Sequence, residues 1–396
     1  MKRAGSSGLS KEVAEAAGWL VRSGIQNRSG RPQLDGGVSA WYEMYRKRYP
    51  FLYSEITGYA ITCFLFLNNV DPRPQWVNAA RRAATWLMRK AWHPCGGVHT
   101  RYYLVKNYQS PNYSFHTGRV YAFDTGMVAY GMLRLHRLSP RKMYREYLDQ
   151  AHAYLTRQLD ITQPDFYPYW DKSTGRKGRD TGKWSDQNGT FHGKCAMFLI
   201  DYARESGRAG DRDACLRLLD WVLDRQEDDG RFVTNVADGS THLHPHCYTL
   251  EGLLYGAAFL GKDKYLKAAI RGARWMRQAV SDSGSVSAIY EHEGFAHYER
   301  SDIVAQVLRI GSILHAWPKT PNVFDEKILT RIREHLLMFQ FNEEGPQKGG
   351  FFYGADTDGR LRIHLNAWAS MFSLQALWMH ERFVRRGRPV DLECLV

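Results

Sequence analysis

The sequence predicts an all-α domain of the (α/α)6 toroid class, with short β-hairpins in the loops at one mouth of the ring. Three observations carry that prediction. Six helix-like stretches each end in a bulky pair, Trp19-Leu20, Trp86-Leu87, Tyr154-Leu155, Trp221-Val222, Trp275-Met276 and Leu336-Leu337, spaced 54 to 68 residues apart. A glycine turn follows five of them, at Gly36-Gly37, Gly96-Gly97, Gly230, Gly284 and Gly349-Gly350, while the third repeat carries Asp171 to Gly175 in that place. After each turn comes a second helix-like stretch, apolar over most of its circumference. Self-similarity at such a spacing marks one supersecondary unit copied along the chain, and a helix apolar all round is a buried one.

The second stretches, over 54–66, 123–135, 191–202, 248–260, 301–314 and 365–377, form the expected inner ring and carry Gly58, Gly126, Gly193, Gly252 and Gly256. The first stretches, among them 75–90, 142–158 and 263–280, set Arg and Lys opposite an apolar stripe, as outer helices do. Inner and outer helices alternating in sequence close into a double ring. No linker interrupts the repeat. Residues 11–381 therefore read as one domain, with a flexible N-terminus (1–10) before it and a basic C-terminal tail (382–396) after it. A domain of this size buries a large core without disulfides or metals.

The six cysteines include no CxxC pair, the pattern of buried thiols in a reducing compartment. The N-terminus lacks a signal-length apolar run and no stretch is long enough to span a bilayer, so the expected location is cytoplasmic. The chain carries 54 Lys and Arg against 41 Asp and Glu, a formal charge of +13. Such a field concentrates anionic partners. Nucleic acid, an anionic membrane surface and an acidic poly- or oligosaccharide all qualify, beside a plainly solvated basic surface; the basic residues are spread over several outer helices with no reading motif, which argues against nucleic acid. Phosphate-binding, dinucleotide-binding and nucleophile-elbow motifs are absent. His242, His244 and His246 alternate and on an extended loop would share one face. Without HExxH or Cys-pair spacing they predict no metal, and no cofactor is expected. Residues 356–359 read as a hairpin turn between 351–353 and 361–363.

In a ring of this kind the inner helices start at one mouth. The residues at those starts are Glu55, Asp124, His192, Tyr248 with Glu251, Asp302, and His364 with Asn366. Each has a plain alternative as a cap or a first-turn charge. The loops leading in are aromatic: Tyr53, Tyr121, Trp170, Trp184 and Tyr298, together with Tyr113, Phe115, His116 and His297, and Tyr59 lies one turn inside. Flat faces with polar tips suit sugar rings.

Three segments carry a resemblance: Tyr53-Ser54-Glu55-Ile56-Thr57-Gly58-Tyr59, Phe123-Asp124-Thr125-Gly126, and His246 followed by Tyr248-Thr249-Leu250-Glu251-Gly252. Together they resemble a group of bacterial (α/α)6-toroid proteins found with exopolysaccharide biosynthesis. Relatives at the level of fold are unsaturated-glucuronyl hydrolases, polysaccharide lyases, glucuronyl C5-epimerases and N-acylglucosamine 2-epimerases. The resemblance implies carbohydrate chemistry and association with polysaccharide biosynthesis machinery. Asp302 departs from the pattern, which has an uncharged residue there. The glycine turns are also similar to terpene-cyclase toroids, but the DxDD acid motif is missing.

Two chemistries fit these residues. In glycoside hydrolysis one carboxyl protonates the leaving oxygen and another activates water or attacks. Glu251, in the apolar setting Leu250-Glu251-Gly252-Leu253, is the candidate acid, with Asp124 or Glu55 as base; the acid needs a raised pKa. In uronate lyase or epimerase chemistry, Tyr248, His246, His192 and Tyr298 are candidates for acid and base, and Arg119 or Arg300 for the carboxylate clamp. A non-catalytic glycan-binding protein is the third possibility; it would keep the carboxylates capped or paired. The reading leans to the hydrolase.

Overall fold

A computed structural model of the chain describes residues 8–108, 118–160, 165–292, 294–296, 298–318, 320–356 and 359–396. Tyr113, Phe115, His116 and His297, and the tip of the expected 356–359 turn, lie outside the described residues. The helices are α1 (Lys11–Arg22), α2 (Ser54–Val70), α3 (Pro74–Trp86), α4 (Ala122–Leu138), α5 (Lys142–Gln158), α6 (Ala196–Ser206), α7 (Ala209–Leu223), α8 (Leu243–Leu260), α9 (Asp263–Arg277), α10 (Ser301–Ala316), α11 (Glu326–Leu337) and α12 (Ala367–Met379).

The even-numbered helices touch in a closed cycle, α2 to α4, α6, α8, α10 and α12 and back to α2. Each odd-numbered helix packs outside an inner one: α3 on α2, α5 on α4, α7 on α6, α9 on α8, α11 on α10, and α1 on α12. The first helix thus belongs to the last repeat. The split follows from composition. Every residue of α2 from Ser54 to Leu67 is buried, whereas α9 buries Tyr265, Ala268, Ala269, Ala273, Trp275 and Met276 along one stripe.

In three of the six repeats the bulky residue ties its outer helix to a loop by a hydrogen bond. Trp19 Nε1 donates to Gln347 Oε1 (3.0 Å), Trp86 Nε1 to the Gln33 carbonyl (3.2 Å), and the Tyr154 hydroxyl to the Val120 carbonyl (2.6 Å). The turn glycines meet the next outer helix edge-on. Gly36 has φ +95°, and a Cβ there would stand 2.2 Å from the Arg82 carbonyl oxygen of α3; Gly349 has φ +93°, and its Cβ would stand 2.3 Å from the Glu15 carbonyl oxygen of α1. Left-handed backbone and contact with a carbonyl both demand glycine. Gly349→Ala, at the seam where α1 closes the ring, is expected to cost about 1–3 kcal/mol, read as a lower urea midpoint. An unchanged midpoint would show that the seam yields freely.

Short antiparallel strands crown the N-terminal ends of the inner helices. Phe51–Tyr53 pairs with Arg101–Tyr103, Arg119–Tyr121 with Tyr169–Asp171, and Thr241–His242 with Ile289–Glu291. Leu361–Asn366 pairs with both Phe351–Ala355 and Trp41–Glu43, stitching the last repeat to the first. The expected hairpin over 351–363 is therefore present.

The C-terminal segment differs from the expected separate tail. A wide turn, His380–Arg385, continues α12, and Leu392, Cys394, Leu395 and Val396 are buried. Gln375, two turns inside α12, donates to the Cys394 carbonyl (2.8 Å) and accepts from the Val396 amide (3.0 Å). Apolar residues among the arginines explain the burial: they cover the ring at the end away from the strands. The six cysteines are free. No helix among the described residues is long and apolar enough to cross a membrane.

Candidate active site

A cleft of about 760 Å3 opens at the strand-bearing mouth. Of the residues expected at a site, Tyr53, Glu55, Arg119, Tyr121, Asp124, Trp184, Tyr248 and Arg300 line it, joined by His242, His244, Tyr353 and Trp368.

Glu55 and Asp124 enter it from adjacent inner helices. The strand Phe51–Tyr53 leads directly into α2, which makes Tyr53 the extended N-cap and Glu55 the second helical residue. Tyr121 likewise caps α4, and Asp124 is its third residue. Neither helix has a side-chain cap, so these carboxyls are not capping groups. A helix N-terminus normally favours the charged carboxylate. Here burial, and then the charge of Asp124, push the Glu55 carboxyl well above its usual range. Burial also raises Asp124, offset only in part by the Thr100 hydroxyl and Arg101. Asp124 Oδ2 is buried with no hydrogen-bond partner among the described residues. The charge of Asp124 raises the proton affinity of Glu55, so the two buried carboxyls titrate in dependence on one another.

The third wall is α8. It starts at Leu243, earlier than the expected 248, and its first turn takes in His244, Pro245 and His246. Proline is at home in a first helical turn. On a helix, residues two apart point to nearly opposite sides. His244 accordingly faces the cleft, while His246 faces α9, with Nε2 3.2 Å from the Gly272 carbonyl and its ring 4.9 Å from Trp275. The face of three histidines expected for an extended loop does not form: His242 and His244 line the cleft, and His246, turned away from it, leaves the list of acid–base candidates. His244 Nδ1 lies 2.7 Å from Gln306 Oε1 and 3.4 Å from Asp302 Oδ2. Burial brings its pKa down to about 4, so the ring is neutral. Tyr248 is one turn deeper, with ring centroids 4.5 Å apart.

Asp302 is a clamp beneath this wall. Its carboxylate takes Arg300 Nε (3.1 Å), Trp368 Nε1 (2.9 Å) and the Ile303 amide (3.0 Å). Burial alone would raise its pKa; Arg300, then His244, hold it below the usual range. It orders Arg300, His244 and Trp368, all three of which reach the cleft.

Glu251 does not fit the acid role. It is fully buried on the face of α8 below Tyr248, outside the cleft lining, paired with Lys194 Nζ (2.8 Å) and Arg309. Burial works to raise its pKa, but those two cations hold it below its ordinary value. His192 sits in the 310 turn Thr190–Cys195 between the rings of Phe166 and Phe191, and burial lowers its pKa to about 3. His364 stacks between Trp41 and Tyr353, and Asn366 caps α12 by accepting from the Ala369 amide (3.0 Å). Trp170 pairs across from Val120 in its sheet, and Tyr298 and Tyr59 are buried; none of the three lines the cleft. Asn366→Ala is expected to cost about 1 kcal/mol, read by thermal melting, and to leave ligand binding intact.

Lys194 went unforeseen. It is fully buried under the cleft floor, its ammonium 4.4 Å from the Tyr248 ring centroid and 5.0 Å from that of Tyr59, and burial brings its pKa down to about 8. Its signal was a lone Lys inside an apolar inner stretch. Arg309 in Val307-Leu308-Arg309-Ile310 is the same signal.

No family model matches the chain, and no curated protein matches it in sequence. Solved structures share its fold. The cellobiose 2-epimerase from Bacillus thermoamylovorans B4167 aligns with a TM-score of 0.72 at 12% identity, over 92% of this chain and 98% of that one. A D-mannose isomerase gives 0.71 at 10% identity, over 94% and 97% of the two chains. An unsaturated glucuronyl hydrolase specific for heparin gives 0.65 at 13% identity, over 97% and 98%.

Proposed function

We propose that this chain is an (α/α)6-toroid carbohydrate-active enzyme that hydrolyses a glycosidic bond in a uronate-containing oligo- or polysaccharide. The observation that carries the proposal is the Glu55/Asp124 pair: two buried carboxyls with raised proton affinity, both lining one aromatic cleft. Glu55, raised by burial and by the charge of Asp124, is the acid that gives its proton to the leaving glycosidic oxygen. Asp124, whose Oδ2 has no hydrogen-bond partner among the described residues, takes a proton from the attacking water. The cleft volume falls within the roughly 300–1,000 Å3 typical of ligand sites, and Tyr53, Tyr121, Trp184 and Tyr248 supply faces for sugar rings. The three similar structures named above act on sugars by their own descriptions, and the net charge of +13 favours an acidic substrate. A role beside exopolysaccharide biosynthesis rests on the sequence resemblance.

One observation favours a second reading. His244 is neutral, oriented through Nδ1 by Gln306 and Asp302, and turned to the cleft above Tyr248. These features support it as the base that takes a C5 proton from a uronate, in a lyase or an epimerase. A panel of acidic oligosaccharides given to the wild type, Asp124→Asn and His244→Gln decides between them. New reducing ends, lost in Asp124→Asn, support hydrolysis. Unsaturated-uronate absorbance or C5 deuterium exchange, lost in His244→Gln, moves the chemistry to α8. Saturable binding without any of these signals makes the protein a glycan binder and sinks both enzymatic readings.

A further inference from the structure

We infer that the wall of the cleft built from Lys90, His99, Arg101 and Lys172 is an anion subsite that seats an oxyanion substituent of the saccharide, a carboxylate or a sulfate, beside the Glu55/Asp124 pair. The inference rests on the saccharide reading above and gives it a specificity determinant.

The two arginines expected to hold a substrate carboxylate are already matched by acidic partners of the protein. Arg119 pairs with Asp180 (3.0 Å) and Asp186 (3.3 Å), and Arg300 with Asp302. Lys90 and Lys172 line a different wall of the cleft, together with Arg101, whose charge lowers the proton affinity of Asp124. Lys90 leaves α3 from a π-turn, Leu87–Ala91, a widening often found at functional sites. The chain then folds back. The His99 amide donates to the Ala91 carbonyl (2.6 Å), the Ser54 amide to the Thr100 carbonyl (2.9 Å), and Arg101 pairs across from Tyr53. His99, Thr100 and Arg101 are thereby fixed against the start of α2, next to Glu55. Lys172 arrives from the strand Tyr169–Asp171, held by its amide on the Gly118 carbonyl (2.8 Å). Its ammonium lies 3.2 Å from His99 Nδ1.

Neither Lys90 nor Lys172 has a carboxylate within ion-pair distance among the described residues. Burial, then Lys172 and His93, hold the His99 imidazole down at about 4, so it is neutral. It accepts from Lys172 at Nδ1 and keeps its proton on Nε2. An anion at this wall therefore meets the ammonium groups of Lys90 and Lys172 and the imidazole N–H of His99, beside the positive charge of Arg101. Such charge-assisted donors are what carboxylate and sulfate oxygens require. The Arg101 guanidinium lies 5.2 Å from the ring centroids of both Phe51 and Tyr53, which fixes its plane beside the aromatic floor.

The test is calorimetric binding of D-glucuronate, a sulfated hexose and glucose to the wild type, Lys172→Gln, Lys90→Gln and Glu55→Gln, with the His99 ring signal followed by NMR. The expected result is tighter binding of an anionic sugar than of glucose, a loss of about tenfold for that sugar alone in Lys172→Gln, and a shifted His99 signal. Glu55→Gln keeps the charge preference. The two anionic sugars show whether carboxylate or sulfate is the natural substituent. Binding that ignores charge, or a charge preference unchanged in both lysine variants, overturns the subsite. Charge-dependent binding without turnover of any saccharide would instead remove the hydrolase reading and leave the subsite standing.

Discussion

Asp124→Asn is expected to lower kcat on the cognate saccharide by about 100- to 10,000-fold, with little change in KM. Glu55→Gln should fall in the same range, and the double variant should be scarcely worse than either single one. The reason is that the two carboxyls serve as acid and base of one reaction, and the charge of one sets the proton affinity of the other. Either amide keeps the shape and hydrogen-bonding capacity of the site but removes the exchangeable proton. A rise in KM at constant kcat, in both variants, would reduce the pair to a binding role.

The same pair sets two pH dependences. Both folded-state pKa values are raised, Glu55 by burial and by Asp124, Asp124 by burial. The active, singly protonated form therefore lies above the range of ordinary carboxylates, and the rate maximum falls near neutral pH. For stability, the sign follows from proton counts. Between the ordinary carboxylate pKa and the raised folded values, the folded state binds more protons than the unfolded chain. Stability is therefore full at low pH and declines as pH rises through the folded values. Asp124→Asn removes that liability and should melt higher than the wild type at neutral pH, with the gap closing toward pH 4. A catalytic site that costs stability is the usual trade.

Much of the ring was legible because buried and half-buried helices have different periodicities, and inner stretches such as 54–66 and 301–314 match α2 and α10 closely. The pairing of Glu55 with Asp124 was legible in part: both stood at inner-helix starts, but only contact between α2 and α4 makes them one unit. The alternation of His242, His244 and His246 is a strand-like pattern, and the chain is helical from Leu243 onward. Pro245 in a first helical turn turns the same spacing into opposite faces, which separates His244 from His246. Asn366 and Asp302 look alike in sequence, yet one caps its helix and the other is gripped by an arginine from the preceding residue pair. Glu251 was misjudged because its sequence neighbours are apolar. Its spatial neighbours, Lys194 on the 310 turn and Arg309 on α10, are far away in the chain.

Those two neighbours give the largest expected effect on stability. Glu251→Gln leaves an ammonium and a guanidinium in the interior with their shared counter-charge removed. Breaking a buried ion pair from one side costs about 3–5 kcal/mol, a large part of the roughly 5–15 kcal/mol that holds a domain folded. The protein should unfold at markedly lower urea, and Lys194→Met in the same chain should recover part of the loss, since one stranded charge is removed. Because the folded pKa of Glu251 lies below its ordinary value, the contribution is present at neutral pH and is lost as pH falls through that lowered value. The wild type should therefore lose its advantage over Glu251→Gln in acid. If Glu251→Gln melts like the wild type and loses only kcat, the buried triad is not what holds α8 against α10. Proton transfer would then have to run through Glu251, the sole acidic member of the triad, and the cleft would extend one turn deeper than Tyr248.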